Sequence, residues 1–117
     1  MYTVIYLYRL NEENKQPFLD INDKISEILL DYGTLEDKIY YADDLDRKNG
    51  CEGLLTLIAV AKHEQVFFGQ SVFRNKSHYE DVMEHVNKND EMKDLMNQLK
   101  EFVDYSKTFT GSFKTPD

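Results

Sequence analysis

The three histidines are the side chains best suited to proton transfer or metal binding near neutral pH. His78 and His85 stand seven residues apart with Asp81 between them, a spacing that could place three ligands on one side of a helix. The neighbouring residues are acidic and typical of a solvated helix face, and His63 falls in a predicted turn. We therefore predict no metal site.

The acidic run at residues 43–50 resembles a calcium-binding loop in composition. In such a loop the fifth and twelfth positions supply oxygen ligands and the sixth is a glycine. Counting from Asp44, those positions hold Lys48, Leu55 and Asn49, so neither the ligands nor the turn glycine are in place. We interpret the run as an acidic turn.

Cys51 is the only cysteine, which excludes an internal disulfide and a zinc site built from several thiolates. Reactive cysteines need an electropositive setting, whereas Cys51 precedes Glu52. The chain also lacks the glycine-rich phosphate loop and the nucleophile elbow of hydrolases. We expect no cofactor and no nucleophilic catalysis, and a reducing compartment, the cytoplasm, as the location.

The net charge of −8 repels phosphate backbones and anionic lipid surfaces. The aromatic strand at residues 67–73 is a feature shared with RNA-binding sheets, but it lacks the basic residue of the RNA-recognition pattern. The longest apolar stretch, 54–61, is far shorter than the ~20 residues that span a bilayer. We predict neither a nucleic-acid partner nor a membrane partner.

Hydrophobic periodicity predicts the element order β-α-β-β-β-α-α-β, an α+β arrangement. Residues 1–114 are short enough to form a single domain, and 115–117 are expected to form a tail. Ser77 with Glu80 is the predicted capping box of the second helix, and the third starts near Asn89 or Asp90. The predicted strands are 1–10, 34–42, 54–61, 66–73 and 107–113, and the first helix covers 15–32.

The first strand is apolar on both sides, so both faces of its sheet need a cover. Helices can cover one face. Alternation predicts an apolar patch on the other, larger than monomers usually expose, and a second copy of the chain is the simplest cover. The residues expected in that patch are Tyr2, Tyr6, Tyr8, Phe68 and Val72.

Two such sheets packed face to face would enclose a barrel able to hold a small molecule. The polar side chains expected to orient that molecule are Tyr6, Tyr8, Gln70 and Arg74. The same four side chains could instead form hydrogen bonds within a subunit interface and salt bridges at its edge.

Several short stretches, in this order, resemble the YbaA-like bacterial proteins of unknown function, in the superfamily of dimeric α+β barrels with ferredoxin-like subunits. The matching residues are Tyr41 to Asp44, Ala59-Val60, Glu64 to Phe68, Phe73, Asp90 to Lys93 and Gly111 to Phe113.

The resemblance implies a ferredoxin-like antiparallel sheet with helices on one face, and a homodimer with a shared barrel. It implies no activity, and Gln70 and Val72 depart from the family pattern. The leading hypothesis is a cytoplasmic homodimer that binds a small, partly apolar molecule between sheet and helices. The alternative is a non-catalytic dimer with a filled core, acting through protein contacts on its acidic surface.

Overall fold

The computed structural model describes residues 1–116 and has the predicted α+β class. Four strands form one antiparallel sheet in the order β2-β3-β1-β4, with three helices, which is the ferredoxin-like arrangement with its second helix divided in two. The strands are β1 (Tyr2–Asn11), β2 (Glu36–Tyr41), β3 (Glu64–Phe73) and β4 (Phe109–Lys114). The helices are α1 (Lys15–Asp31), α2 (Lys76–Val86) and α3 (Asp90–Leu99).

Helix α1 forms where the sequence predicts it, because apolar residues recur every three or four positions. Asn14 is its N-cap residue, and Gly33 follows its end with φ of +110°, a left-handed conformation that glycine adopts without strain. The apolar stripe packs onto the sheet and includes Phe18, which is fully buried. The stripe comprises Phe18, Ile21, Ile25, Ile28 and Leu29.

Helix α2 begins one residue before Ser77, so the predicted cap is wrong. Asn75 is the N-cap residue, and its side-chain oxygen accepts a hydrogen bond of 2.8 Å from the backbone N–H of His78. An Asx side chain at this position satisfies one of the free N–H groups of the first turn. For α3 the prediction is confirmed, because Asn89 accepts from the N–H of Met92 at 2.8 Å.

The predicted strand at residues 54–61 is also wrong. Its first residues form a 3₁₀ turn, Leu54–Thr56, and Leu57 is 78% exposed while Ile58 is buried. The segment folds back on the acidic loop: the N–H of Leu55 donates to the carbonyl of Leu45 at 3.3 Å. Gly53 permits this approach, because a Cβ there would lie within 2.1 Å of the Leu45 carbonyl oxygen. An apolar run of eight residues does not by itself distinguish a strand from such a loop.

The register of β1 and β3 corrects the predicted faces of the sheet. Tyr8 lies opposite Phe67 and Tyr2 opposite Phe73, and these residues belong to the core under the helices. The even-numbered residues of β1, Tyr6 included, therefore point toward the helices. Phe68, Gln70 and Val72 point to the other face, with Thr3, Ile5 and Leu7. The predicted patch had combined residues from both faces, because β1 is apolar on each side.

The face of the sheet away from the helices is apolar and partly uncovered. On β4, Phe109 and Phe113 lie opposite Leu7 and Thr3 and are 50% and 61% exposed. On β2, Tyr40 lies opposite Phe68, and their rings are 5.9 Å apart. We call this surface the open face of the sheet.

The segment after the acidic loop is tied to one end of the open face. Arg9 of β1 donates from its guanidinium to the backbone carbonyl of Ala59 and, at 3.4 Å, to that of Lys107.

Within residues 1–116, no helix is both long enough and apolar enough to cross a membrane.

The corrected cap of α2 can be tested by removing each candidate. We expect Asn75→Ala to lower the free energy of unfolding by about 1 kcal/mol, because the N–H of His78 loses its partner. Ser77→Ala is the matched control and should change stability by less than about 0.5 kcal/mol. Urea unfolding measures both, and a larger loss for Ser77→Ala would contradict the assignment.

Candidate functional site

A cavity of about 410 Å³ lies between the helix-facing side of the sheet and the helices. This volume is within the range of small-molecule sites, roughly 300 to 1,000 Å³. Most of its wall is apolar, and three of the wall residues are methionines, whose flexible side chains adapt to different shapes. The apolar wall includes Val4, Ile25, Leu29, Phe73, Met83, Val86, Met92, Met96 and Leu99.

Gly69 on β3 makes room for an aromatic side chain at the floor of the cavity. A Cβ on Gly69 would lie 3.3 Å from Cε2 of Tyr8 and 3.5 Å from Cδ1 of Ile39, so the Tyr8 ring lies directly over the glycine. The ring also packs edge-on against Phe18, with centroids 5.1 Å apart. The position of Tyr8 therefore depends on the absence of a side chain at residue 69.

Four tyrosines contribute to the cavity wall. Tyr6 and Tyr8 stack with ring centroids 5.7 Å apart and an interplanar angle of 17°, and Tyr79 and Tyr105 also line the cavity. Burial raises the pKa of Tyr8 well above its usual value, and the nearby hydroxyls of Tyr6 and Tyr105 raise it further. Burial likewise raises the pKa of Tyr79 and of Tyr105, with Tyr6 contributing to each. The phenols of Tyr8, Tyr79 and Tyr105 are consequently neutral at physiological pH and can donate hydrogen bonds.

Asp37 of β2 contributes a carboxylate to the same cavity. It accepts a hydrogen bond from the hydroxyl of Ser71 on the adjacent strand, and its backbone carbonyl accepts one from Ser26 of α1 at 3.3 Å. Burial raises the pKa of Asp37, and the hydrogen bonds from the serines offset part of the rise. After burial and the two tyrosines, the Asp37 charge is a further cause of the raised pKa of Tyr8.

The sequence-predicted site residues do not come together in one place. Tyr6 and Tyr8 line the cavity, as does Gln70, but strand alternation directs the Gln70 side chain to the open face. Arg74 lies just beyond β3, is exposed and does not line the cavity. Its backbone N–H donates to Nδ1 of His78 at 3.0 Å.

Asp37 is the functional candidate that the sequence interpretation missed. Along β2 it shares a side with Ile39 and Tyr41, whereas Glu36 and Lys38 point to the open face. A charged residue on the apolar side of a strand is unusual, because a buried carboxylate needs a partner. The position of Asp37 on the same side of the strand as Ile39 and Tyr41 was the feature of the sequence that could have indicated a functional role.

His78 and His85 contact structural groups of the protein, an aromatic ring and a backbone carbonyl. His78 is buried against Phe73, with ring centroids 5.8 Å apart, and His85 contacts the backbone carbonyl of Asp81 through Nδ1 at 2.7 Å. Cys51 is exposed in the acidic loop. In the part of the chain that the structure describes, no three His, Cys, Asp or Glu side chains are grouped so that they could hold a metal ion.

The sequence of this chain matches one known protein family. Residues 1–103 match the family described as a protein of unknown function, DUF1428. The chain belongs to the DUF1428 family. No curated protein matches the sequence significantly. The narrower resemblance to YbaA-like proteins stays a prediction.

Solved structures share the fold of this DUF1428 protein at very low sequence identity. The Arabidopsis thaliana protein At3g17210 has a TM-score of 0.66 and 7% identity, over 100% of this chain and 97% of that one. A NIPSNAP domain protein of Burkholderia xenovorans has a TM-score of 0.58 and 12% identity, over 99% and 95%. A dimeric ferredoxin-like protein of unknown function from Jannaschia sp. CCS1 has a TM-score of 0.57 and 10% identity, over 98% and 100%. These likenesses support the ferredoxin-like fold and leave the site chemistry to be argued from this chain.

The raised pKa of Asp37 has a consequence for stability. Its neutral form is favoured on folding, so the stability it contributes is present below the ordinary carboxyl pKa of about 4 and is lost as pH rises through the higher folded value. We therefore expect the wild type to lose stability relative to Asp37→Asn between about pH 4 and pH 7. Urea unfolding at several pH values measures this difference.

Asp44 provides a control of opposite sign. The N–H of Asp46 and the ammonium group of Lys48 lower the pKa of Asp44, so its contribution is present above the ordinary pKa and lost as pH falls. The wild type should gain stability relative to Asp44→Asn as pH rises to about 4, and the difference should then stay level at higher pH. The same trend in both variants would contradict the assigned environment of Asp37.

Proposed function

We propose that this protein is a homodimer whose subunits each bind a small, partly apolar molecule in the cavity between the sheet and the helices. The observation that carries the proposal is the cavity itself, which is apolar over most of its wall and has the hydroxyls of Tyr6 and Tyr8 and the carboxylate of Asp37 on its sheet side. A pocket with a few convergent polar groups in an apolar wall is the usual form of a ligand site.

Tyr6 and Tyr8 are the proposed orienting groups of this site. Both belong to the central strand β1 and are paired with β3, and Tyr6 is also paired with β4. The adaptable methionine wall would then fit the apolar part of the molecule.

The homodimer is proposed from the open face of the sheet. The exposed rings of Phe109 and Phe113 form part of an apolar patch of the kind that marks an interaction surface. The structural neighbour from Jannaschia sp. CCS1 is dimeric, which supports the same assembly here. Gln70 lies on this face, so we assign it to the subunit interface, the alternative that the sequence left open. We propose that the exposed side chain of Arg74 forms an ion pair at the edge of the interface. We also propose that the protein is located in the cytoplasm.

A protein-interaction dimer acting through its acidic surface is the competing function. This function needs no ligand, so it predicts that the cavity of the purified protein holds no bound molecule. The presence or absence of a bound molecule in the purified protein distinguishes the two functions.

Native mass spectrometry of freshly purified protein tests the ligand site. We expect two chains plus a retained small molecule. Gly69→Ala should keep the dimer but retain less of the molecule, because the new methyl group displaces the Tyr8 ring that lies 3.3 Å away. A Gly69→Ala dimer that retains the molecule as fully as the wild type would contradict the role of Gly69 in the site. A wild-type dimer without added mass would contradict a retained ligand.

The proposed interface makes a separate prediction. Phe113→Asp should convert the dimer to monomers, because the open face would then bury an unpaired carboxylate at the subunit contact. Leu30→Asp on the exposed side of α1 is the matched control and should remain dimeric. Light scattering after size-exclusion chromatography measures the mass of each variant, and a dimeric Phe113→Asp protein would place the interface elsewhere.

A further inference from the structure

We infer that the ligand carries a protonated amine beside its apolar part, with the amine bound by the Asp37 carboxylate and by the faces of the surrounding tyrosine rings. The inference rests on the proposed function, because it names the class of molecule that the cavity selects. Three features support it: the balance of charge in the cavity wall, the aromatic rings, and the environment of Asp37.

The charge of the wall is negative. Among the lining residues of the described chain, Asp37 is the one carboxylate and Lys38 the one basic residue. Alternation along β2 directs the Lys38 side chain to the open face, where its ammonium group pairs with Glu36 at 2.7 Å. A charged ligand inside the cavity would therefore meet a carboxylate without a compensating cation.

The aromatic rings add a second attraction for a cation. Tyr6 and Tyr8 stack beside each other, and Tyr79 and Tyr105 complete a group of four tyrosines along the cavity. The faces of aromatic rings carry negative electrostatic potential and attract ammonium groups, most strongly where water is excluded. The phenol oxygens can also accept hydrogen bonds from an amine.

The Asp37 carboxylate has acceptor capacity left for a ligand. The Ser71 hydroxyl occupies one acceptor site, whereas a carboxylate offers about four. Burial makes the ionised carboxylate unfavourable, and an ammonium group would restore a favourable partner. An anionic ligand would add a second negative charge to the same enclosed space and would be repelled. The net charge of −8 also attracts cations to the protein as a whole.

The test uses three probes that share a phenyl group and differ in charge: 2-phenylethylamine, 2-phenylethanol and 3-phenylpropionate. Isothermal titration calorimetry at pH 7 gives their dissociation constants with the wild-type protein. We expect the amine to bind about tenfold more tightly than the alcohol, from the sum of the ion pair and the ring contacts. The carboxylate should bind more weakly than the alcohol.

Two variants locate the source of the preference. Asp37→Asn keeps an acceptor for Ser71 but removes the charge, so the amine should lose most of its advantage over the alcohol. Glu36→Gln removes the same charge from the adjacent residue, whose side chain points to the open face, and should keep the preference. Equal loss of the preference in both variants would attribute it to the overall charge of the protein and overturn the inference.

The remaining outcomes separate this inference from the proposed function. Equal or tighter binding of the carboxylate than of the amine, or an amine preference that Asp37→Asn leaves undiminished, would overturn the amine assignment while the cavity remains a ligand site. Failure of all three probes to bind would overturn both for molecules of this size.

Discussion

The structure depends on one constraint: β1 is the central strand and is apolar on both sides, so both faces of the sheet must be shielded from water. It pairs with β3 on one side and with β4 on the other, and α1 packs its apolar stripe over one face. The other face has no such cover in the described chain and keeps exposed phenylalanines on β4. The cavity and the open face are therefore two consequences of the same strand.

The cavity combines apolar packing with a polar group that packing alone does not explain. Phe18 and Phe67 fill the core next to Tyr8, and Gly69 provides the space that the Tyr8 ring occupies. Burial makes Asp37 harder to ionise, a cost that well-packed apolar residues would avoid. Retaining a carboxylate and several phenols there is understandable if they contact a ligand, because perturbed groups gather at functional sites.

The structural neighbours share this fold at 7 to 12% identity. A fold preserved at such low identity reflects the packing of a four-stranded sheet under helices, which many sequences satisfy. Function belongs to the side chains placed on that scaffold, so it does not follow from the fold. In this member of DUF1428, Asp37 and four tyrosines line the same cavity, and these side chains are the ones on which a function of the cavity would depend.

Features that depend on neighbours in the chain could be predicted from the sequence: the extent of α1, its end at Gly33, the cap of α3 at Asn89, and the α+β class. Features that depend on distant partners could not. The segment 54–61 is apolar enough for a strand, but its backbone bonds to the acidic loop. Both sides of β1 are apolar, so only its register with β3 decided that Tyr6 and Tyr8 face the helices. Asp37 entered the site for the same reason: local pattern records which residues share a side of a strand, and tertiary packing decides which side becomes the cavity.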